Sequence, residues 1–474
     1  MIFLYTSLLL LVCFFEVLRK KEIFIDFLSI FNSFFIFSYL IPAIMFLAEP
    51  DNIEKWKFLS VVPAAPKSLS TFLAILIFYS MLLLGFLIGS KRNIKFYPKL
   101  FFSLNEWQQF KIIALPFFAI SFVAFGLYSY GHDGIVSTIL SGKNIRAGRQ
   151  LAGVYQYFFY FSSGLSISML LFCGFSLFSK SSKLRTACAL CFFVSFIFAF
   201  LFALGTAGRG KIGMVFLSVL FFWLNTQKPV FSAKIILTLA GTALFILSLV
   251  TYGKSAIWVM DAFREGGSEY WARFQEHQAL FVSLDENSKT IDYLVSFSRN
   301  FDHPLASLYL AMHNPEIYQS PRLFFDWVRS FIDLIPGVSQ PELIISSSPS
   351  VLNRDYFGVD GYVPPGWVAM KIINGGVLWL ICGTLIAGMV GGWLQKWLMI
   401  NWNTSPMIPG LFIIFALFWL NNIIGPDPFM VLLKNLSSFL LLLFVVPFLK
   451  LRSREQARMT NFPKGESTEA LKKT

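Results

Sequence analysis

Apolar residues occur in long uninterrupted runs along most of this chain, with short polar segments between them. A run of about 17 to 25 apolar residues can cross about 30 Å of hydrocarbon, because a helix rises about 1.5 Å per residue. The pattern therefore predicts an all-α polytopic membrane protein with about eleven transmembrane helices. We place them at residues 2–18, 23–48, 69–90, 112–131, 154–178, 187–206, 212–225, 235–252, 367–394, 408–424 and 431–449.

One polar interruption, residues 253–366, is far longer than the other connections. It is rich in aromatic residues, and its stretches 292–313 and 321–335 have the periodicity of amphipathic helices. The chain thus divides into an N-terminal bundle of about eight helices (1–252), a large helical loop domain (253–366), about three C-terminal helices (367–449) and a basic tail (450–474).

Composition and charge agree with this division. The chain has 474 residues, of which 56% are hydrophobic and 14% charged, and such a composition excludes a soluble globular protein. Lysine and arginine cluster in alternate short loops and in the tail, as they do on the cytoplasmic side of a membrane. We therefore predict a periplasmic N-terminus, a periplasmic loop domain, a cytoplasmic C-terminus and contact of the basic loops with anionic membrane lipid.

The net charge of +13 does not indicate nucleic-acid binding. Much of it belongs to the basic loops and tail, and the long loop carries fourteen acidic against eight basic residues. A nucleic-acid surface would instead concentrate basic residues on the exposed domain. Nucleic acid is therefore not an expected partner.

The first candidate binding segment is the predicted outer loop at residues 142–150. Its basic residues Lys143, Arg146 and Arg149 are spaced three apart, so in a helical turn all three would project from one face. This arrangement suits an anion clamp. An ordinary solvated loop is the alternative interpretation.

The second candidate is the sequence GTAGRGK at 205–211. It nearly matches the phosphate-loop pattern, but Ile212 replaces the magnesium-binding hydroxyl and the segment follows an apolar helix instead of a strand. The short connection would hold Arg209 and Lys211 at headgroup depth, in a glycine-rich turn suited to a lipid-linked phosphate or pyrophosphate. Simple lipid anchoring is the alternative.

The long loop supplies the remaining candidates. An arginine guanidinium can donate two parallel hydrogen bonds to the oxygens of one phosphate or carboxylate group. A carboxylate or a histidine can act as a general base. The basic candidates are Arg299, Arg322, Arg329 and Arg354, and the candidate bases are Asp302, His303 and Asp326. Salt bridges within the loop, and a helix-capping role for His303, are the alternatives. We expect His132, His277 and His313 to lie at the surface. The loop has no Asp-x-Asp pattern, so neither a metal nor another cofactor is predicted.

Several of these segments resemble the Wzy-type polymerases of oligosaccharide repeat units, which make O-antigen and related surface polysaccharides. The resemblance is carried by RNF at 299–301, FIDLIPG at 331–337, Asn353, GYVPPGW at 361–367 and NGG at 374–376, together with the turn at 205–211. It implies a GT-C-like, metal-independent glycosyltransferase of the bacterial inner membrane. Such an enzyme moves a growing glycan from undecaprenyl pyrophosphate onto a new lipid-linked repeat unit.

The resemblance also implies the roles of residues and partners. The arginines above and Lys211 would bind pyrophosphate or glycan, and a flippase and a chain-length regulator are candidate partners. An O-antigen ligase, which transfers glycan to lipid A core, has the same architecture and donor. A flippase or transporter of lipid-linked oligosaccharide is a further alternative. Against it, the chain has no internal repeat, and Lys371 and Lys434 lie near span ends.

Overall fold

The computed structural model describes residues 1–19, 21–49, 53, 56–91, 104–140, 155, 158–205, 209–226, 241, 302–314, 352–358 and 366–424. Every regular element in these ranges is helical. The helices are α1 (Ile2–Leu18), α2 (Phe27–Ala48), α3 (Leu69–Lys91), α4 (Glu106–Tyr130), α5 (Ile135–Leu140), α6 (Phe158–Ser162), α7 (Gly164–Phe178), α8 (Ser182–Gly205), α9 (Arg209–Thr226), α10 (His303–His313), α11 (Trp367–Ile400) and α12 (Met407–Ile424). Single turns of π-helix lie within α2 at Ile36–Leu40, within α4 at Phe110–Ala114, and at Leu352–Tyr356.

Five helices, α2, α3, α4, α8 and α11, are long and apolar enough to cross a membrane, and shorter apolar helices lie in α1, α7, α9 and α12. The all-helical class is therefore confirmed for the described part of the chain, and these helices fit a multi-pass membrane protein. The predicted spans 235–252 and 431–449, the tail and most of the loop 253–366 lie outside the described residues. The total span count and the domain boundaries stay predictions.

Polar caps fix the starts of two of the long helices. The Asp26 carboxylate accepts a hydrogen bond from the Ser29 backbone N–H (2.8 Å), so α2 begins at Phe27. Asn105 and Gln108 exchange bonds of 2.9 and 3.1 Å, which starts α4 six residues before the predicted span. Both are capping boxes, in which side chains satisfy N–H groups that the first turn leaves without partners.

The closest helix packing joins α3 to α11 through four glycines. Gly85 and Gly89 on α3 lie against the backbone of α11, and Gly388 and Gly392 on α11 lie against the backbone of α3. A Cβ atom at Gly388 would come within 2.9 Å of the Phe86 backbone nitrogen. Both pairs have the small-xxx-small spacing that lets transmembrane helices approach closely.

Hydrogen bonds join several of the segments between helices at one end of the bundle. Ile25, just before α2, exchanges two bonds with the Asn225 side chain (2.8 and 2.9 Å), and the Phe27 backbone N–H donates to Gln395 Oε1 (2.9 Å). Glu106, at the start of α4, accepts a bond of 2.6 Å from Ser179, which follows α7. These connections belong to the set that the sequence predicts to be cytoplasmic.

A partly buried ion cluster lies at this same end. The Arg19 guanidinium bonds both the Glu16 and the Asp26 carboxylates. Burial alone would raise the pKa of Asp26, but Arg19 and the Ser29 hydrogen bonds outweigh it and hold the pKa below its usual range. The cluster closes the turn between α1 and α2.

The opposite end carries α10. This helix packs on the first residues of α11 and on the segment that precedes α3. Pro304 lies beside Gly366, and His313 Nε2 lies 3.0 Å from Ser70 Oγ. The sequence predicted a helix over 292–313, and its described part, from residue 302, is helical. The helix therefore covers the end of the bundle that the sequence assigns to the periplasm.

Candidate functional site

Asp302 fixes the start of α10 to the segment before α3. Its carboxyl oxygen Oδ2 accepts hydrogen bonds from the backbone N–H groups of Phe58 (2.9 Å) and Leu59 (3.1 Å). The side chain is fully buried, and its other oxygen, Oδ1, has no hydrogen-bond partner. Burial raises the pKa of Asp302 to about 6, although the two backbone N–H groups oppose the shift. Asp302 thus has one oxygen bonded to the backbone and a second buried oxygen without a hydrogen-bond partner among the described residues.

His303 is the first residue of α10 and lies in an aromatic pocket. Its ring is 4.4 Å from the centroid of the Phe58 ring and 5.1 Å from that of Phe357. Ser307 Oγ lies 3.4 Å from His303 Nδ1, at the limit of a hydrogen bond. The cap position itself belongs to Asp302. Asp302 and His303 are therefore adjacent and both buried, and their roles as bases stay predictions.

Helix α11 is broken near its start, which the sequence analysis did not anticipate. Gly375 (φ −159°, ψ 21°) and Gly376 (φ 66°, ψ −162°) leave the helical conformation. The positive φ of Gly376 is one that side-chain-bearing residues rarely adopt. The predicted span 367–394 is thus two helical segments, and the signal was the Asn-Gly-Gly sequence at 374–376.

Lys371 lies one turn before this break and reaches across it. Its ammonium Nζ is 4.6 Å from the centroid of the Trp367 ring and 4.5 Å from that of Trp379. A Cβ atom on Gly383 would lie 2.7 Å from the same Nζ. In a straight helix Lys371 and Gly383 would be about 18 Å apart, beyond the reach of a lysine side chain. The break therefore folds the first segment against the second and encloses the ammonium.

The two predicted basic segments start from neighbouring points. Gly205, the last residue of α8, lies against Thr138 of α5, and a Cβ atom at Gly205 would be 3.0 Å from Thr138 Cγ2. The segment 142–150 follows α5 directly, and Arg209 opens α9 four residues after Gly205. The backbone of Arg209 and Lys211 is helical.

The structure describes the other predicted site residues only in part or not at all. Arg354 lies in the π-helical turn Leu352–Tyr356, where only its backbone is described. Six lie outside the described residues, and their roles stay predictions: Arg146, Arg149, Arg299, Arg322, Asp326 and Arg329. Among the described residues, no three of His, Cys, Asp and Glu are grouped so that they could hold a metal ion.

The prediction from sequence that His132 lies at the surface is wrong. The side chain is only 1% exposed and packs edge-on against Tyr128, at 4.9 Å between ring centroids. Within the described part of the chain, both ring nitrogens, the Tyr128 hydroxyl and the Ser129 hydroxyl are buried and have no hydrogen-bond partner. Burial lowers the pKa of His132, although the Asp133 carboxylate opposes the shift. Of the other two, His313 is exposed as expected, and His277 lies outside the described residues.

Comparisons with known proteins add no relative to this picture. No protein-family model matches the chain, and no curated protein or solved structure is significantly similar to it. Arguments about its function therefore rest on its own residues.

Proposed function

We propose that this protein is a multi-pass glycosyltransferase that joins lipid-pyrophosphate-linked oligosaccharide repeats, in the manner of the Wzy-type polymerases it resembles. The observation that carries the proposal is the contact of Gly205 with Thr138. Because of this contact, the segment with Arg146 and Arg149 and the segment with Arg209 begin next to each other, at the predicted periplasmic side. Several guanidinium groups close together are what a departing pyrophosphate requires.

The proposed reaction is a displacement at an anomeric carbon. A hydroxyl oxygen of the new repeat unit forms the glycosidic bond, the bond from the anomeric carbon to the pyrophosphate oxygen breaks, and undecaprenyl pyrophosphate leaves with the bonding electron pair. The hydroxyl proton passes to a general base, for which Asp302, His303 and Asp326 remain the candidates. The arginines stabilise the negative charge that develops on the leaving group.

The proposal requires the α10 end of the helices to be periplasmic, in the inner membrane of a bacterium. We expect an alkaline phosphatase fused after Lys289 to be active, because the enzyme folds only outside the cytoplasm, and one fused after Arg185 to be inactive. Phosphatase activity, normalised to the amount of fusion protein, measures this. Reversed activities would place the arginines where no lipid-linked repeat awaits polymerisation and would end the proposal.

Removing a pyrophosphate ligand should abolish long glycans. For Arg209→Ala and Arg299→Ala we expect polymer synthesis to fall by about 100-fold, the typical effect of losing one charge-stabilising group. Polysaccharide ladders on gels, compared at equal membrane content of the protein, measure the change. Arg185→Ala is the matched control, because Arg185 is exposed at the predicted cytoplasmic end. Normal ladders from both variants would remove the proposed site.

A lipid-linked oligosaccharide flippase is the second candidate, and the broken helix α11 with its enclosed Lys371 favours it. Transporters commonly bind substrate at interrupted helices, and ionisable groups inside spans often mark substrate pathways. Vesicles that contain the purified protein and a lipid-linked repeat separate the two functions. A polymerase forms longer glycans from them without nucleotide, whereas a flippase changes only the leaflet of the substrate. A protein whose loss leaves long glycans on the lipid carrier would instead be a ligase.

A further inference from the structure

Lys371 is a buried lysine with no anionic partner among the described residues. The side chain is 4% exposed, yet the ion pairs among the described residues all involve Arg19 or Lys21, at the other end of the helices. The contacts of its ammonium are the Trp367 and Trp379 rings. The attraction between a cation and an aromatic ring is weaker than the cost of removing an ammonium from water. The site therefore lacks a compensating negative charge.

Other groups near Lys371 also lack a hydrogen-bond acceptor or a negative charge among the described residues. The indole N–H of Trp367 is buried and has no acceptor in the ranges that the structure describes. The helical segment that starts after Gly376 directs the positive end of its dipole to the break, a few residues from the lysine. Lys371, the Trp367 indole N–H and the start of a helical segment thus lie on either side of the break, and none of them has an acceptor among the described residues. Such a combination binds phosphate oxygens in many proteins.

The position of the site indicates how a ligand would reach it. Val377 and Leu378, directly after the break, are exposed by 42% and 73%, and both are apolar side chains suited to contact with lipid chains. Trp367 and Trp379 are residues of the type that lies at the membrane–water boundary. An amphiphile at this level can place its chain along Val377 and Leu378 and its phosphate at Lys371.

We propose that Lys371, enclosed by Trp367, Trp379 and Gly383 at the break in α11, binds the phosphate or pyrophosphate group of a membrane-borne ligand. The proposal does not depend on polymerase activity. None of the arginines predicted to bind pyrophosphate lies on α11, so a failure at Lys371 and a failure at Arg209 are separate results. Free pyrophosphate offers the same chemistry as a lipid headgroup, and the experiment distinguishes these two sources.

Ligand-dependent melting of the purified protein tests the site. We expect farnesyl pyrophosphate, added well above its dissociation constant, to raise the melting temperature of the wild-type protein by about 3 °C. Inorganic pyrophosphate at equal concentration shows whether the headgroup alone suffices. In Lys371→Met, which keeps an unbranched side chain one atom shorter but not the charge, the affinity should fall at least about tenfold. Lys111→Met is the matched control, because Lys111 also lies over a tryptophan ring (Trp107, 5.5 Å) but is exposed at the opposite end.

The stability of the variant without ligand separates binding from a structural role. If the role of Lys371 is to bind an anionic ligand, Lys371→Met removes an uncompensated charge and melts at or above the wild-type temperature. If the lysine only holds the two tryptophans together, Lys371→Met melts lower and binds both pyrophosphates as the wild type does. That second pattern, or a wild-type protein stabilised by neither compound, overturns the proposal.

Discussion

Alanine at Gly388 is expected to push α3 and α11 apart and to destabilise the folded protein. The new Cβ atom would lie 2.9 Å from the Phe86 backbone nitrogen and closer still to the Leu82 carbonyl oxygen. Backbone atoms cannot rotate away as a side chain can, so the helices must separate along their whole contact. Overpacking of this kind costs about 3 kcal/mol. We expect a melting temperature several degrees lower, measured on protein purified in detergent.

Gly126→Ala is the matched control for that substitution. Gly126 also lies inside a long apolar helix, α4, but no atom comes within 4 Å of the position of its new Cβ. Alanine favours a helix over glycine by about 1 kcal/mol, so this variant should melt at or slightly above the wild-type temperature. If Gly388→Ala melts like Gly126→Ala, then the close contact of α3 with α11 is wrong.

Asp302→Ala should destabilise the protein, whereas Asp302→Asn should fold. Alanine leaves the Phe58 and Leu59 backbone N–H groups buried without an acceptor, at a cost of about 2 to 5 kcal/mol for the two. Asparagine can keep both bonds through its single carbonyl oxygen. The measurement is the melting temperature of the two variants and the wild type, followed by polymer synthesis by the folded asparagine variant. Loss of synthesis with intact folding would assign the base to Asp302, and retained synthesis would leave His303 and Asp326.

The melting temperatures of the wild-type protein and of Asp302→Asn should depend differently on pH. Because burial raises the pKa of Asp302 from 3.8 to about 6, the folded protein binds the proton more readily than the unfolded chain does. This stabilisation is complete below about pH 3.8 and is lost as the pH rises through about 6. Asparagine has no such proton. The wild-type melting temperature should therefore fall relative to that of Asp302→Asn between about pH 4 and about pH 7. Parallel profiles would show that the carboxylate is not buried.

Hydropathy predicted the described helices because the length of an apolar run is a local property. It located α1 at its observed bounds and placed α3 to within one residue. It missed the first turn of α4, because Asn105 and Gln108 start that helix through polar side chains. It also treated 154–178 as one span, whereas the structure has α6 and α7 there.

The site was harder to predict because its contacts join distant parts of the chain. Asp302 was identified as a candidate, but its partners Phe58 and Leu59 lie more than 240 residues earlier. His132 was placed wrongly because its neighbour Tyr128 is enclosed by Phe159 and Phe202 from other helices. The glycine pairs on α3 and α11 could have been found, since a spacing of four residues is visible in sequence. Lys371 could also have been singled out, as a lysine beside Asn-Gly-Gly within an apolar run.

The bond from Phe27 to Gln395 has a consequence for how the protein is made. Its two residues are 368 positions apart, so at about 5 to 20 residues per second the ribosome needs about 20 to 70 s to supply the acceptor. Until then the Phe27 N–H cannot bond to Gln395, and the start of α2 lacks this contact. The contact between the start of α2 and the end of α11 can consequently form only late in synthesis, after most of the chain has been made.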